Sequence, residues 1–166
     1  MQVAEVLIEA FGRIHGAVAR VLDGLDDEAL GVRLDPDTNS IAWLVWHLTR
    51  VQDHHISELM SVEQRYLADG WHEHFGRGPD DQDHGYGHTA ADVASVHGTA
   101  DELIGYYDAV HARTVEYLSG LGPADLDQVI DERWDPPVTL GVRLASLISD
   151  CLQHVGQAAF VRGLLT

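Results

Sequence analysis

The chain predicts as an all-α four-helix bundle with one long loop between its second and third helices. Three observations carry that expectation. Four segments repeat apolar residues at three- and four-residue steps, the period of a helix with one buried face. No stretch alternates apolar and polar residues over the length of a strand, and there is no Gly-x-Gly nucleotide loop. At 166 residues the chain reads as a single domain, 1–166, long enough to bury a core of its own.

The first helix is expected from Ala4 to Leu25, where Leu7, Phe11, Ile14, Val18, Leu22 and Leu25 share a face. His15 falls on that face and reads as a core-edge histidine. Asp26 to Asn39 is acidic and turn-rich, and Asn39 or Ser40 can accept hydrogen bonds from the first N–H groups of a new helix. The second helix then runs from about Ile41 to Met60, its stripe of Ile41, Leu44, Leu48, Val51 and Leu59 centred near Leu48. His47 lies about 100° round from that centre, with Trp43, Arg50 and His54 on its side. His55 falls inside the stripe, so periodicity does not choose between the two histidines.

Ser61 to Thr89 breaks the pattern with Gly70, Gly76, Gly78, Pro79, Gly85 and Gly87, after room for a short helix at its start. A connection of this length is more often a lid or binding loop than filler. Its four histidines, His72, His74, His84 and His88, have no fixed spacing and read first as solvated; a rim lined by Trp71 and Tyr86 is the sharper expectation. Thr89 and Thr99 both look like helix starts, the second with a Thr-x-x-Glu capping box. The third helix follows to about Ser119 with Leu103, Tyr107, Val110, Thr114 and Tyr117 or Leu118 inward, and Gly120 and Gly122 stop it. After a second acidic stretch, Pro136-Pro137 imposes an extended entry before Thr139, which can cap a fourth helix reaching Leu165.

That last helix carries the chemistry. Asp150 and His154 are one turn apart on one face, about 5–6 Å between Cβ atoms, from which two side chains can grip one metal ion. Arg143, Leu147 and Val161 fall within about 20° of one or the other, and Gln157 is close by. Burying this much polarity uncompensated is costly, so the stripe either pairs its charges or faces a wet cavity.

Composition narrows the partners. A net charge of −17 argues against nucleic acid and anionic membranes, and no apolar block is long enough to cross a bilayer. All ten basic residues are Arg, from which no function follows. Cys151 is the single cysteine, so no internal disulfide or cysteine-pair zinc site can form, and packing is its expected role. With no signal-peptide pattern at Met1-Gln-Val-Ala-Glu, a cytoplasmic protein is expected. Eleven histidines favour metal or pH chemistry.

The segment Ile41-Ala-Trp-Leu-Val-Trp-His-Leu-Thr-Arg50 and the segment Gln153-His-Val-Gly-Gln-Ala-Ala-Phe-Val-Arg162-Gly resemble the DinB-like superfamily. That group includes thiol S-transferases using bacillithiol or mycothiol and the N-terminal domain of mycothiol-dependent maleylpyruvate isomerase. The resemblance covers nearly the whole chain in helix order and loop placement. It implies that His47, Asp150 and His154 hold one divalent metal, zinc or nickel in most members. Many members have histidine at the first place of the last-helix pair; Asp150 departs from them and is similar to the isomerase-type domain.

Such a site leaves an open position for a thiol or water. The expectation is a metal-dependent enzyme that activates a mycothiol-like thiol for S-transfer to, or isomerisation of, a small electrophile. His54 and Gln157 are candidates to orient the ligands. Arg50, Arg143 or Arg162 could hold a carboxylate, or form salt bridges instead. Three alternatives stay open: a hydrolase using metal-bound water, a non-enzymatic metal-binding stress-response bundle, homodimeric through an exposed helix face, and a metal-free bundle in which Asp150 and His154 simply pair.

Overall fold

The computed structural model describes residues 2–165. In chain order the helices are α1 (Val3–Leu22), α2 (Asp27–Gly31), α3 (Ile41–Met60), α4 (Arg65–Ala68), α5 (Trp71–His74), α6 (Ala90–Ala94), α7 (Ala100–Ser119) and α8 (Leu140–Leu165). α1, α3, α7 and α8 form the bundle. α1 and α3 each pack on both α7 and α8, so the four make a ring with α1 diagonal to α3. Among the described residues no helix is long and apolar enough to cross a membrane.

The ends of the elements follow local chemistry. Ser40 Oγ accepts from Trp43 N at 3.1 Å to open α3, and Thr139 Oγ1 accepts from Val142 N at 3.4 Å at the start of α8. α1 stops at Leu22, three residues short of the expected Leu25. Asp23 leaves the helix and Gly24 turns the chain with φ +72°, while Leu25 still packs on the core. Thr89 and Thr99 each form a capping box, on two separate helices, α6 and α7, and not within one. The acidic stretch after α7 is also more ordered than expected. It holds a 3₁₀ turn, Pro123–Asp127, and a two-stranded antiparallel ribbon of β1 (Val129–Asp131) and β2 (Val138–Thr139). Strands of three and two residues are too short to reveal alternation.

Direction decides what covers the site. Along α3 and α7 the contacts advance together, from Arg50 with Tyr106 to Ser57 with Arg113, so these helices run parallel. α3 and α8 run antiparallel, with Cys151 beside Leu48 and Arg143 beside His55. A chain leaving α3 must therefore travel back about 30 Å, the length of a twenty-residue helix, before α7 can start. Residues 61–99 make that return along the flank of α3. Every residue from Ile41 to Arg50 is consequently buried, polar ones included.

Candidate metal centre

Buried backbone and ring nitrogens must be paired, and in this site the pairing fixes which nitrogens remain free. His47, 7% exposed, lies on the half of α3 that the return segment covers. Its ring stacks on Trp43 at 4.6 Å, and its Nδ1–H donates to the backbone carbonyl of His84. Nε2 is then the nitrogen with a free lone pair. From α8, His154 Nδ1–H donates to the Asp150 carbonyl oxygen one turn back, 2.9 Å away, and again leaves Nε2. Asp150 Oδ2 is buried and has no hydrogen-bond donor among the described residues; His154 Nδ1 stands 3.4 Å off with its proton directed at the carbonyl.

One ligand atom from each of His47, Asp150 and His154 lies within 4.8 Å of the other two. Two imidazoles held by carbonyls at Nδ1, with Nε2 open, are the arrangement metal-binding histidines adopt. The orphaned Asp150 oxygen supplies the anionic donor such a site needs, so the residues fit a divalent cation. Burial, then the neighbouring His154, pushes His47 down to about 4, which keeps its ligating form neutral. Burial also pulls on His154, but the Asp150 carboxylate 3.4 Å away and the hydrogen bond to the Asp150 backbone carbonyl outweigh that and hold it above its ordinary value. Burial would raise Asp150, yet the two histidines hold it below the usual carboxylate range.

The histidine-rich return segment is part of this site, and the expectation of a solvated loop is corrected. His84 gives its carbonyl to His47, and His88 stacks on Trp46, accepts from Trp43 Nε1 at 3.1 Å and pairs with Asp83 at 2.9 Å. Gly85 is the point of closest approach. With φ +95°, it is buried where a Cβ would meet His47 Nδ1 at 2.9 Å and the rings of Trp43 and Trp46 at 3.0 and 3.1 Å. Trp71 lines no rim; it packs against Gly105 and Phe75, while Tyr86, 89% exposed, stands at the cavity mouth.

Arg50 secures the segment and does not face a substrate. Its guanidinium is fully buried over the Tyr66 ring and donates to the carbonyls of Asp80, Asp81 and Asp83 and to Gln64 Oε1. Helical spacing put Arg50 on the same side as His47; what it could not show is that the neighbour there is backbone. Gln157 is exposed in the wall of a separate groove with Leu34, Asn39 and Phe160, whose lining includes none of the three ligand candidates. Arg162 donates to the Val21 carbonyl on α1.

Beside His47 and Asp150 opens a cavity of about 210 Å³ lined also by Val51, His54, His55, His84 and Tyr86. His54, His55 and Glu58 make a second cluster of donor atoms. A guanidinium already occupies it: Arg143 Nη1 is 2.8 Å from His55 Nδ1 and 3.4 Å from Glu58 Oε2, and Nη2 is 3.4 Å from Asp131. Arg143 is therefore an ion-pair residue behind the cavity wall. Cys151 is buried against Leu48 and Gln52, and burial pushes its thiol well up, so it supplies no thiolate.

A helical bundle with a His, Asp and His cluster between α3 and α8 defines the class: the fold is DinB-like. A DinB-like protein from Bacillus cereus superposes with a TM-score of 0.59 at 19% identity, over 95% of this chain and 89% of that one. A conserved protein from Enterococcus faecalis is nearer, with a TM-score of 0.90 and 32% identity over 98% of this chain and 96% of the other. The sequence model described as "Mycothiol-S-transferase" matches residues 6–166, and the chain belongs to that family. No curated protein matches.

Proposed function

We propose that this chain is a metal-dependent thiol S-transferase in which His47 Nε2, the Asp150 carboxylate and His154 Nε2 hold one divalent cation, zinc or nickel. The observation that carries the reading is the clustering of His47, Asp150 and His154 donor atoms within 4.8 Å, with both Nδ1 atoms held by carbonyls and an Asp150 oxygen that has no donor among the described residues. Membership in the mycothiol-S-transferase family supports the thiol as co-substrate. When bound, such a cation lowers the pKa of a thiol in its open coordination position, making a nucleophile at neutral pH.

The protein's own groups do the rest. The His84 and Asp150 carbonyls hold the two imidazoles in one tautomer and orientation. Trp43 and Trp46, with the return segment over them, keep water from the inner side of His47. The chain's one thiol, Cys151, is buried and protonated, so the sulfur nucleophile must come from a small molecule. The cavity of about 210 Å³ would take a compact electrophile, to which the thiol adds across a polarised double bond with its proton going to the neighbouring carbon, or from which it displaces a leaving group. In an isomerisation the C–S bond then breaks again and the thiol is regenerated.

Elemental analysis of untagged protein tests the ligand set, with one metal per chain expected and none in His47→Ala or Asp150→Ala. Cobalt substitution tests the thiol: adding mycothiol should raise a thiolate-to-cobalt charge-transfer band. Cobalt protein that shows no band with any small thiol, yet hydrolyses esters, would replace the transferase with a hydrolase.

A further inference from the structure

Five histidines surround the metal centre and its cavity. His84 gives its backbone carbonyl to His47, and the other four divide into two kinds. His47 and His154 face carbonyls at Nδ1 and therefore keep an Nε2 lone pair. His54 and His55 are the reverse. Arg143 Nη1, which can only donate, stands 2.8 Å from His55 Nδ1; Glu58 Oε2 is 3.7 Å from that nitrogen, beyond hydrogen-bond reach. His54 Nδ1 is 3.1 Å from Gln64 Nε2. The Gln64 amide cannot be turned round, because its Oε1 accepts from Arg50 at 2.6 Å while Nε2 also donates to the Asp81 carbonyl at 3.0 Å. Both Nδ1 atoms are thus acceptors, and both rings carry their proton on Nε2, which has no hydrogen-bond partner among the described residues.

We propose that the Nε2–H groups of His54 and His55 form a donor pair that binds the carboxylate of a small substrate in the cavity beside His47 and Asp150. The inference rests on the reading of that cavity as the substrate's side of the metal centre and adds the substrate's class: a compact carboxylate-bearing electrophile. The rings meet edge to face with centroids 5.1 Å apart, and both residues line the same cavity. Arg143 polarises His55 from behind and makes its Nε2–H a stronger donor. Burial, then Arg143, pushes His55 down to about 4, so the ring donates as a neutral group at physiological pH. The carboxylate that lines the cavity, Asp150, is the one assigned to the cation; Glu58 is engaged by Arg143. A neutral donor pair also suits a chain of net charge −17, in which a free cationic side chain would be drawn into salt bridges.

The test is an NMR titration of zinc-loaded, ¹⁵N-histidine-labelled protein with acetate, and with acetamide as the neutral control of the same size. In long-range ¹H–¹⁵N spectra, His54 and His55 should show the Nε2–H tautomer, and their Nε2 signals should move saturably with acetate. Acetamide should bind at least about tenfold more weakly. His54→Leu and His55→Leu should each weaken acetate about tenfold with zinc content unchanged. His54→Gln and His55→Gln, whose amide nitrogen can stand where Nε2–H was, should retain most of the affinity. Nδ1–H tautomers at either residue, shifts confined to His47 and His154, or Leu variants that bind acetate as well as the parent would each overturn the proposal. Failure of the transferase reading looks different: acetate binds the histidine pair as described, but no thiol produces the cobalt band.

Discussion

Gly85→Ala isolates the coupling between the return segment and the metal centre. The new methyl would stand 2.9 Å from His47 Nδ1, 3.0 Å from Trp43 Cζ2 and 3.1 Å from Trp46 Cζ3, at a backbone φ of +95°. All three neighbours are buried rings or ring atoms with no room to swing aside. Left-handed backbone costs an alanine about 1–2 kcal/mol, and forcing a methyl into a packed site costs about 1–3 kcal/mol more. The expected destabilisation in urea is therefore about 2–5 kcal/mol. The segment must lift, moving the His84 carbonyl from His47 Nδ1, and losing such an orienting partner weakens metal binding about 10–100-fold. Gly87→Ala is the control, because its φ of +78° brings strain but its Cβ meets nothing within 4 Å. It should cost about 1–2 kcal/mol and leave zinc affinity, read by chelator competition, unchanged. Equal zinc affinities in Gly85→Ala and the parent would show that the carbonyl contact does not position His47, and the reasoning would fail.

Other expectations follow from the same geometry. Asp150→Ala should lose metal at least about 100-fold in competition assays while the metal-free protein changes stability by no more than about 1 kcal/mol, since the residue is half-exposed; retention of stoichiometric metal would count against the ligand set. Arg50→Met should cost about 3 kcal/mol or more by leaving Asp53, 3.9 Å away and fully buried, with less compensation. Amide exchange from Asp80 to Gly85 should accelerate with it, and unchanged exchange there would deny Arg50 its clamping role. His55 is held neutral in the fold, down to about 4 against 6.5 unfolded, so the unfolded chain gains the proton first and stability falls as pH drops from 6.5 toward 4, by about 3 kcal/mol from this residue. His55→Gln should flatten that part of a pH–stability curve, and an identical curve would refute the assignment. Cys151→Ala should leave thiol transfer intact at a stability cost of about 1–2 kcal/mol, whereas loss of turnover without loss of metal would make the buried thiol a participant.

Much of the bundle is legible in the sequence because periodicity and caps are local. Ser40, Thr89, Thr99 and Thr139 all mark real helix starts, and the inward residues of α7 lie where spacing puts them. The direction of α7 relative to α3 leaves no local trace, so the need for a covering return segment is not legible. That omission accounts for the main errors at the site. Periodicity assumes one buried face, but the first half of α3 is buried on every side, which put His47 on a shoulder and set His55 level with it as a candidate. Backbone carbonyls, the partners of Arg50, His47 and His154, carry no residue identity, so no motif can announce them.

His47 and the Asp150–His154 pair lie about a hundred residues apart in the chain and on different helices. A cation held by all three would rivet the bundle as well as serve its chemistry, closing most of the chain into one loop. Because only the folded form brings these donors together, free metal at about a hundred times its dissociation constant adds about 2.7 kcal/mol to the resistance to unfolding. Metal supply would then govern how long the molecule survives as well as how fast it turns over.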